Sequence, residues 1–334
     1  MKIAVYSTQP YDRRFLDEAF LAHAASSSIE LNYFAEALSG RSVSLAHGCE
    51  AVCVFVNDVL DASVLDALAK GGVRAILLRC AGFNNVDTAA AARLGMFVAR
   101  VPAYAPEAVA EHTLALILTL NRQTHRAYAR VRDGNFSLDG LLGSNLHGKT
   151  VGLVGLGKIG MATARIFKGF GCIVLGHDIA VPDEFDALGR AVTLDELFAG
   201  SDYVSLHCPL TPDTRHLIDA GALARMKPGA MLVNTSRGGL IDTVAVIAAL
   251  KAGKLGALAI DVYEQESELF FQDRSGDIIG DDVFQRLMTF PNVLVTGHQG
   301  FFTIEAMREI AQVTLHNLDC YVASKPCANL VPAA

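Results

Sequence analysis

The run Gly155-Leu156-Gly157-Lys158-Ile159-Gly160 constrains this chain more than any other stretch of it. Glycines at these spacings are common, so their context decides what they mean. Here they follow the apolar, strand-like Val151–Val154 directly and open a helix-patterned segment, Ile159–Phe170. In such a strand-turn-helix unit Gly155 permits the tight turn and Gly157 lets the backbone approach a pyrophosphate. Gly160 lets helix and strand pack closely. The helix N-terminus adds unpaired N–H groups and a partial positive charge. Asp178, 18 positions after Gly160, closes the next strand, Cys172–His177. A carboxylate there accepts hydrogen bonds from both adenine-ribose hydroxyls and repels a 2′-phosphate, so the spacing points to NAD rather than NADP.

The turn lies in the middle of the chain. Before it, apolar runs at Ile3–Ser7, Leu31–Phe34, Ala51–Val56, Ala75–Arg79 and Phe97–Arg100 alternate with helical stretches such as Asp12–Ala25 and Ala62–Lys70. After it come strands at Tyr203–His207, Met231–Asn234, Leu258–Asp261 and Val293–Val295, then an amphipathic helix over Thr303–Tyr321. This rhythm predicts α/β architecture with parallel sheets covered on both faces. Pro106, at an early helical position, opens a stretch expected to run as one helix to about Arg130. Its apolar residues are dense enough to predict burial between two domains. At 334 residues the chain exceeds what one core usually supports, and two domains are expected. The second α/β unit is bracketed, so the tail is expected to return to the N-terminal domain.

A formal charge of -7 without a basic tract argues against nucleic-acid or anionic-membrane surfaces, which need clustered Lys and Arg. The N-terminus, Met1-Lys2-Ile3-Ala4-Val5-Tyr6-Ser7, has neither the basic stretch nor the long apolar core of a signal peptide. No apolar run approaches the ~20 residues of a membrane span. Seven cysteines form an odd set without metal-type spacing, as expected of reduced thiols in a cytoplasmic protein. No metal site is expected.

Three polar groups follow strands of the second unit: Arg237 in Asn234-Thr235-Ser236-Arg237-Gly238-Gly239, Glu266 five residues past Asp261, and His298 in Thr296-Gly297-His298-Gln299-Gly300. Reduction of a 2-keto acid needs a planar cation for the carboxylate and an acid to protonate the carbonyl oxygen. It also needs a carboxylate to orient that acid. Arg237, His298 and Glu266 supply one of each. Taken singly, each reads as readily as a solvated or locally satisfied side chain, and spacing alone does not assemble them. The loop Cys80-Ala81-Gly82-Phe83-Asn84-Asn85 follows a strand of the first domain, where open parallel sheets bind ligands.

Further runs carry a resemblance that spans essentially the whole chain. They are Lys2–Thr8, Leu78–Asp87, Arg100–Tyr104, Pro106–His112, Leu206–Pro212, Val233–Gly238 and the His298 loop. In these the sequence resembles the D-isomer-specific 2-hydroxyacid dehydrogenase family, and within it the bacterial fermentative D-lactate dehydrogenase branch. The resemblance implies two doubly wound parallel-sheet domains. A Rossmann NAD-binding domain, 103–299, is inserted in a flavodoxin-like substrate domain made of 1–102 and 300–334. The family's catalytic arginine, glutamate and histidine fall on Arg237, Glu266 and His298. Its cofactor contacts fall on Lys158, Ile159, Asp178, Cys208, Pro209, Thr214, Thr235, Ser236, Arg237 and Asp261. Its substrate wall falls on Ala81, Gly82 and Tyr104, with Arg237 and His298 facing the substrate. Gly300 stands where relatives often carry alanine, and Thr214 where some carry asparagine. The partners implied are a small 2-keto acid or 2-hydroxy acid and further copies of the chain, as a tetramer or dimer. The expected reaction is reduction of pyruvate to D-lactate. Two alternatives stay open here: another 2-keto acid, such as phenylpyruvate, hydroxypyruvate or a branched-chain acid, and a non-catalytic NADH-sensing regulator of the same fold.

Overall fold

The structure is a computed structural model and describes residues 1–22, 29–103, 105–266 and 269–332. The chain divides into two compact units, Met1–Ala105 with Phe302–Ala334, and Pro106–Phe301.

The first unit carries β1 (Lys2–Val5), α1 (Pro10–Leu21), β2 (Glu30–Tyr33), β3 (Ala51–Val54), α2 (Ala62–Lys70), β4 (Ala75–Leu78), α3 (Thr88–Arg93) and β5 (Phe97–Arg100). Its sheet runs β2-β1-β3-β4-β5, parallel throughout, which is the flavodoxin-like order. β3 and β4 are buried at every position, as central parallel strands covered on both faces must be. α1 starts two residues before the expected Asp12 because Pro10 sets the first helical φ and the Asp12 carboxylate accepts from the Gln9 N–H at 3.0 Å. Residues 23–25 of that expected helix lie outside the described residues. The tail does return to this unit. Arg100 N–H donates to Asn329 O (3.0 Å) and Val331 N–H to Val98 O (2.9 Å), extending the β5 edge with an antiparallel partner.

The second unit follows with α4 (Pro106–Arg122), α5 (Thr124–Arg132), β6 (Thr150–Val154), α6 (Lys158–Gly169), β7 (Ile173–His177), β8 (Arg190–Ala191), α7 (Leu194–Gly200) and β9 (Tyr203–Leu206). It continues with α8 (Ala220–Arg225), β10 (Ala230–Asn234), α9 (Thr243–Lys251), β11 (Leu255–Ile260), α10 (Asp282–Met288) and β12 (Val293–Val295). α11 (Ile304–Val322) belongs to the first unit, against α1, β4 and β5. The parallel sheet order is β12-β11-β10-β9-β6-β7-β8, so the direction of winding switches between β6 and β9. Strand alternation divides the core into two layers. Leu232, Leu258 and Ile260 pack beneath α7–α10, while Met231, Val233 and Ala259 face α4 and α6. Each fully buried Leu, Ile or Phe of these layers contributes about 1.5–3 kcal/mol. Aspartates at 219, 242 and 281 accept the third N–H of α8, α9 and α10, each cap adding about 1 kcal/mol.

The single helix expected from Pro106 to about Arg130 is instead two, broken where Gln123 turns to φ +51. Gly143 lies so close to the Asn121 carbonyl that a Cβ there would sit 2.2 Å from its oxygen. Asn121 also donates its side-chain amide to Ser144 O (2.6 Å). The returning segment thus occupies the path a continuing helix would take. α4 is an integral layer of the second unit, packed on α6, β10, β11 and β12, and α5 buries no residue.

Candidate active site

The glycine turn sits at the switch between β6 and β9, outside the strand C-termini. Gly155 has φ +99, and a Cβ on it would lie 2.5 Å from the Cys208 amide nitrogen. A Cβ on Gly160 would lie 2.0 Å from Gly155 O. Both positions therefore demand glycine for the protein's own packing. Gly157 differs, since a Cβ on it meets nothing within 4 Å. Its hydrogen faces open space at the N-terminus of α6, where the first N–H groups have no helical acceptor. A glycine kept bare beside free donors fits a dinucleotide pyrophosphate approaching the backbone. Asp178 closes over the turn, accepting from Leu156 N–H (2.5 Å) at Oδ2 and from Ala180 N–H (3.2 Å) at Oδ1. Each oxygen keeps a lone pair for a ribose hydroxyl.

The loop after β9 holds Cys208, Pro209 and Thr214. Thr214 Oγ1 donates to Pro209 O (2.7 Å) and accepts from Thr211 N–H (2.7 Å). Burial pushes the Cys208 thiol up to about 11, so it stands protonated at neutral pH and contributes shape rather than charge. The Ser236 hydroxyl donates to Cys208 O (2.7 Å), tying this loop to the next.

That next loop, after β10, is built on Asn234. Its amide donates to Arg237 O (2.8 Å) and its carbonyl oxygen accepts from Ser236 N–H (3.0 Å). Thr113 donates to Val109 O, so Thr235 is the donor across the 2.9 Å contact to the Thr113 hydroxyl. Arg237 uses one guanidinium nitrogen on Ser236 O (2.7 Å). A Cβ on Gly238 would strike the Tyr263 backbone at 2.1 Å, which fixes how tightly this loop abuts the one after β11.

Asp261 ends β11 fully buried. Oδ1 accepts from the Thr296 hydroxyl and from Gln299 N–H (2.9 Å), with His112 Nε2 at 3.3 Å, and Oδ2 accepts from Gly300 N–H (2.8 Å). Burial alone would raise its pKa, but these donors outweigh it and hold the carboxyl below its ordinary value. The Asp261 carbonyl also accepts from His298 N–H (2.7 Å). One residue thus shapes the whole His298 turn, in which His298 itself takes φ +55.

His298 and Glu266, 32 residues apart in sequence, meet directly. Nδ1 lies 2.9 Å from Glu266 Oε1, and Glu266 Oε2 accepts from Tyr263 N–H (2.9 Å). The imidazole ring is flanked by Phe271 (5.6 Å between centroids) and Phe301 (6.4 Å). With Nδ1–H donated to a carboxylate, Nε2 is the nitrogen left for proton transfer. Arg237, Glu266 and His298 therefore stand on loops leaving three neighbouring parallel strands, β10, β11 and β12.

In the first unit, the loop after β4 is anchored by Arg100, which donates to Ala81 O (2.7 Å) and stacks over Phe83 (5.0 Å). Asn85 donates to Phe55 O (3.0 Å) and Asp58 O (2.8 Å). Tyr104 lies outside the described residues. Sequence reasoning did not single out His112, Thr113, Asn234 or Thr296. They support the site from behind; His112, Asn234 and Thr296 lay inside motifs already noted, and Thr113 directly follows one. Among the described residues no cluster of three or more His, Cys, Asp or Glu is arranged to hold a metal ion.

Residues 114–300 match the family model for the D-isomer specific 2-hydroxyacid dehydrogenase, NAD binding domain. The chain is 58% identical to 2-hydroxyacid dehydrogenase A of Aspergillus oryzae, over 98% of this chain and 94% of that one. It is 52% identical to D-lactate dehydrogenase of Escherichia coli, over 98% and 99%. The solved apo-structure of D-lactate dehydrogenase from Escherichia coli superimposes with a TM-score of 0.90 at 50% identity, covering 99% of this chain and all of that one.

Proposed function

Because the chain belongs to the D-isomer specific 2-hydroxyacid dehydrogenase family, we propose that this NAD-dependent enzyme reduces pyruvate to D-lactate. The observation that carries the reading is the His298–Glu266 pair at 2.9 Å, on strand ends next to the Arg237 loop. Full-length similarity to proteins named D-lactate dehydrogenase favours pyruvate among the 2-keto acids.

Bound NADH supplies the hydride from its nicotinamide ring. Gly155, whose own N–H is spent on His177 O (2.8 Å), turns the chain so that Gly157, Lys158, Ile159 and Gly160 would hold the pyrophosphate through backbone N–H groups, and Asp178 would hold the adenine ribose. Cys208, Pro209, Thr214, Thr235 and Ser236 would line the remainder, and Asp261 would offer the carboxamide the one Oδ2 lone pair that Gly300 N–H leaves free. Arg237 grips the substrate carboxylate with the donors it does not spend on Ser236. His298 Nε2 gives a proton to the keto oxygen as negative charge gathers there, while Glu266 holds Nδ1–H and fixes the ring plane. Ala81, Gly82 and Tyr104, which the resemblance assigns to the substrate, complete the proposed substrate contacts.

We further assign the enzyme to the cytoplasm as a homo-oligomer, tetramer or dimer. Tyr128, Val131, Phe136, Leu138 and Leu142 are exposed within one short segment, and such assembly would cover them. Among the described residues no helix is long and apolar enough to cross a membrane.

The deciding experiment is NADH oxidation with a panel of 2-keto acids, with chiral analysis of the product. The reading requires pyruvate to give the highest kcat/KM and D-lactate to be formed. Preference for a bulkier keto acid would move the substrate elsewhere in the family. No turnover with any acid, despite NADH binding, would make the chain a nucleotide sensor.

A further inference from the structure

The last turn of α11 brings two cysteines together. Ser324 takes φ +50, Lys325 N–H donates to Cys320 O (2.9 Å) and Ser324 N–H donates to Tyr321 O (3.1 Å). These bonds stop the helix through a left-handed residue, and Pro326 keeps it from resuming. The chain doubles back, so Cys327 packs with Cys320 and Ala99 in a small cluster against Phe97. The two thiols lie in this one cluster, close enough for the Cys327 sulfur to act on the Cys320 thiol. His316, one turn earlier and exposed, places Nε2 3.7 Å from Cys320 Sγ. Two thiols and an exposed base thus meet at one point of the first unit.

A line of contacts runs from this dithiol to the loop after β4. Cys327 Sγ donates to Asn317 Oδ1 (3.5 Å), which also accepts from Asn329 Nδ2 (2.8 Å). Asn317 Nδ2 donates to Arg100 O (2.9 Å), and the Arg100 guanidinium donates to Ala81 O (2.7 Å). Every member of the line belongs to the first unit.

We propose that Cys320 and Cys327 form a redox modification site that closes to a disulfide on exposure to a peroxide and, through Asn317 and Arg100, disturbs the Ala81-Gly82 wall. The second half of this inference rests on the function proposed above. Chemically, His316 Nε2 takes the Cys320 proton as the sulfur attacks one peroxide oxygen. The O–O bond breaks, Cys320 becomes a sulfenic acid, and the released hydroxide recovers the proton and leaves as water. Cys327 sulfur then attacks the Cys320 sulfur and the S–O bond breaks. The hydroxyl departs with the Cys327 proton as a second water. Two thiols lose two electrons, and one peroxide is reduced to two waters. Burial, together with the Cys327 sulfur, pushes the Cys320 thiol above its ordinary value, which is why the neighbouring imidazole is needed. Oxidation removes the S–H donor from Asn317, leaving its Oδ1 to re-pair within the tail that holds Arg100.

The test uses the full-length protein treated with hydrogen peroxide, alkylated without reduction and digested with trypsin. Cleavage after Arg308 and none at Lys325-Pro326 leave both cysteines in one peptide, residues 309–334. The proposal expects that peptide to be lighter by two hydrogens, unalkylated, and restored by dithiothreitol. It also expects a several-fold higher KM for pyruvate in the oxidised enzyme at unchanged NADH affinity, with Cys320→Ser and Cys327→Ser both resistant. A peptide carrying two alkyl groups, or separate higher oxides, overturns the disulfide. A disulfide with unchanged KM overturns the link to the wall. The mass measurement needs no turnover, so an enzyme inactive on pyruvate before oxidation would count against the proposed function alone.

Discussion

The two sheets carry buried carboxylates at their C-terminal edges that behave in opposite ways. At the end of β11, Asp261 gathers donors from the Thr296 hydroxyl, two backbone amides and the His112 imidazole, and its carboxyl is held below the ordinary range. Beyond β3, Asp58 is just as buried and accepts from the Ser7 hydroxyl (2.7 Å), Leu38 N–H (2.6 Å) and Phe55 N–H (2.5 Å). There desolvation wins, and the carboxyl is pushed up. Asp12 is also pushed up by burial, although buried Arg79 lies 3.8 Å away. Arg79 spends one nitrogen on Tyr6 O (2.7 Å) and Ser7 O (2.9 Å). The difference teaches that burial does not settle the charge state. One more donor, with an imidazole among the set, makes Asp261 a fixed negative platform under the His298 turn. The Asp58 carboxyl, pushed up by burial, serves instead as a three-donor strut for the first unit's loops.

If the second sheet's edge carries the chemistry, damage there should be chemical and damage in the first unit should not. His298→Ala is the harshest case, with kcat expected to fall by a factor on the order of 10² to 10⁴, the usual worth of a general acid. Steady-state rates near normal would remove His298 from that role. Arg237→Lys keeps the charge and loses the fork, so kcat/KM for pyruvate should drop roughly 10- to 100-fold. NADH affinity, read by fluorescence titration, should hold, and a parallel loss of both would make Arg237 a structural residue. Asp178→Ala should act on the cofactor alone, narrowing the preference for NADH over NADPH by about tenfold, roughly 1.4 kcal/mol. An unchanged ratio would leave the carboxylate as only a brace for Leu156.

Much of this asymmetry was legible in the sequence. The glycine turn, the acid closing β7 and the strand rhythm read correctly because each rests on local spacing. Strand starts moved by a residue, from Val151 to Thr150 and from Cys172 to Ile173, since these two positions are placed by pairing with each other rather than by their own pattern. The break at Gln123 was invisible because its cause, the return of Gly143 onto Asn121, is a tertiary contact. The His298–Glu266 pairing had the same limit. Residues 32 apart are joined only by the parallel alignment of β11 and β12, so resemblance rather than spacing brought them together. The buried network of Arg79, Asp12 and Asp58 left no signal, because a polar residue after a strand reads as solvated until its burial is known.

The finest test compares the two carboxylates by pH. Asp58 has a folded value above its unfolded one of about 3.9. The native state therefore keeps the proton across a window in which the unfolded chain has released it, and stability falls as pH rises through that window. Asp261 runs the other way. Its folded value is depressed, so its contribution is complete above the unfolded value and is lost as pH falls through the folded one. Asp58→Asn should cancel the first effect, so that stability relative to the parent improves as pH rises from about 4 through the folded value and then levels off. Asp261→Asn should be worst at neutral pH and approach the parent only in strong acid. Urea unfolding midpoints measured across that range give both slopes. A slope of the opposite sign for Asp58→Asn, with stability relative to the parent worsening as pH rises, would show that its three donors, like those around Asp261, outweigh desolvation. In that case the two sheet edges would hold their carboxylates alike, and the contrast between them would lie in the loops alone.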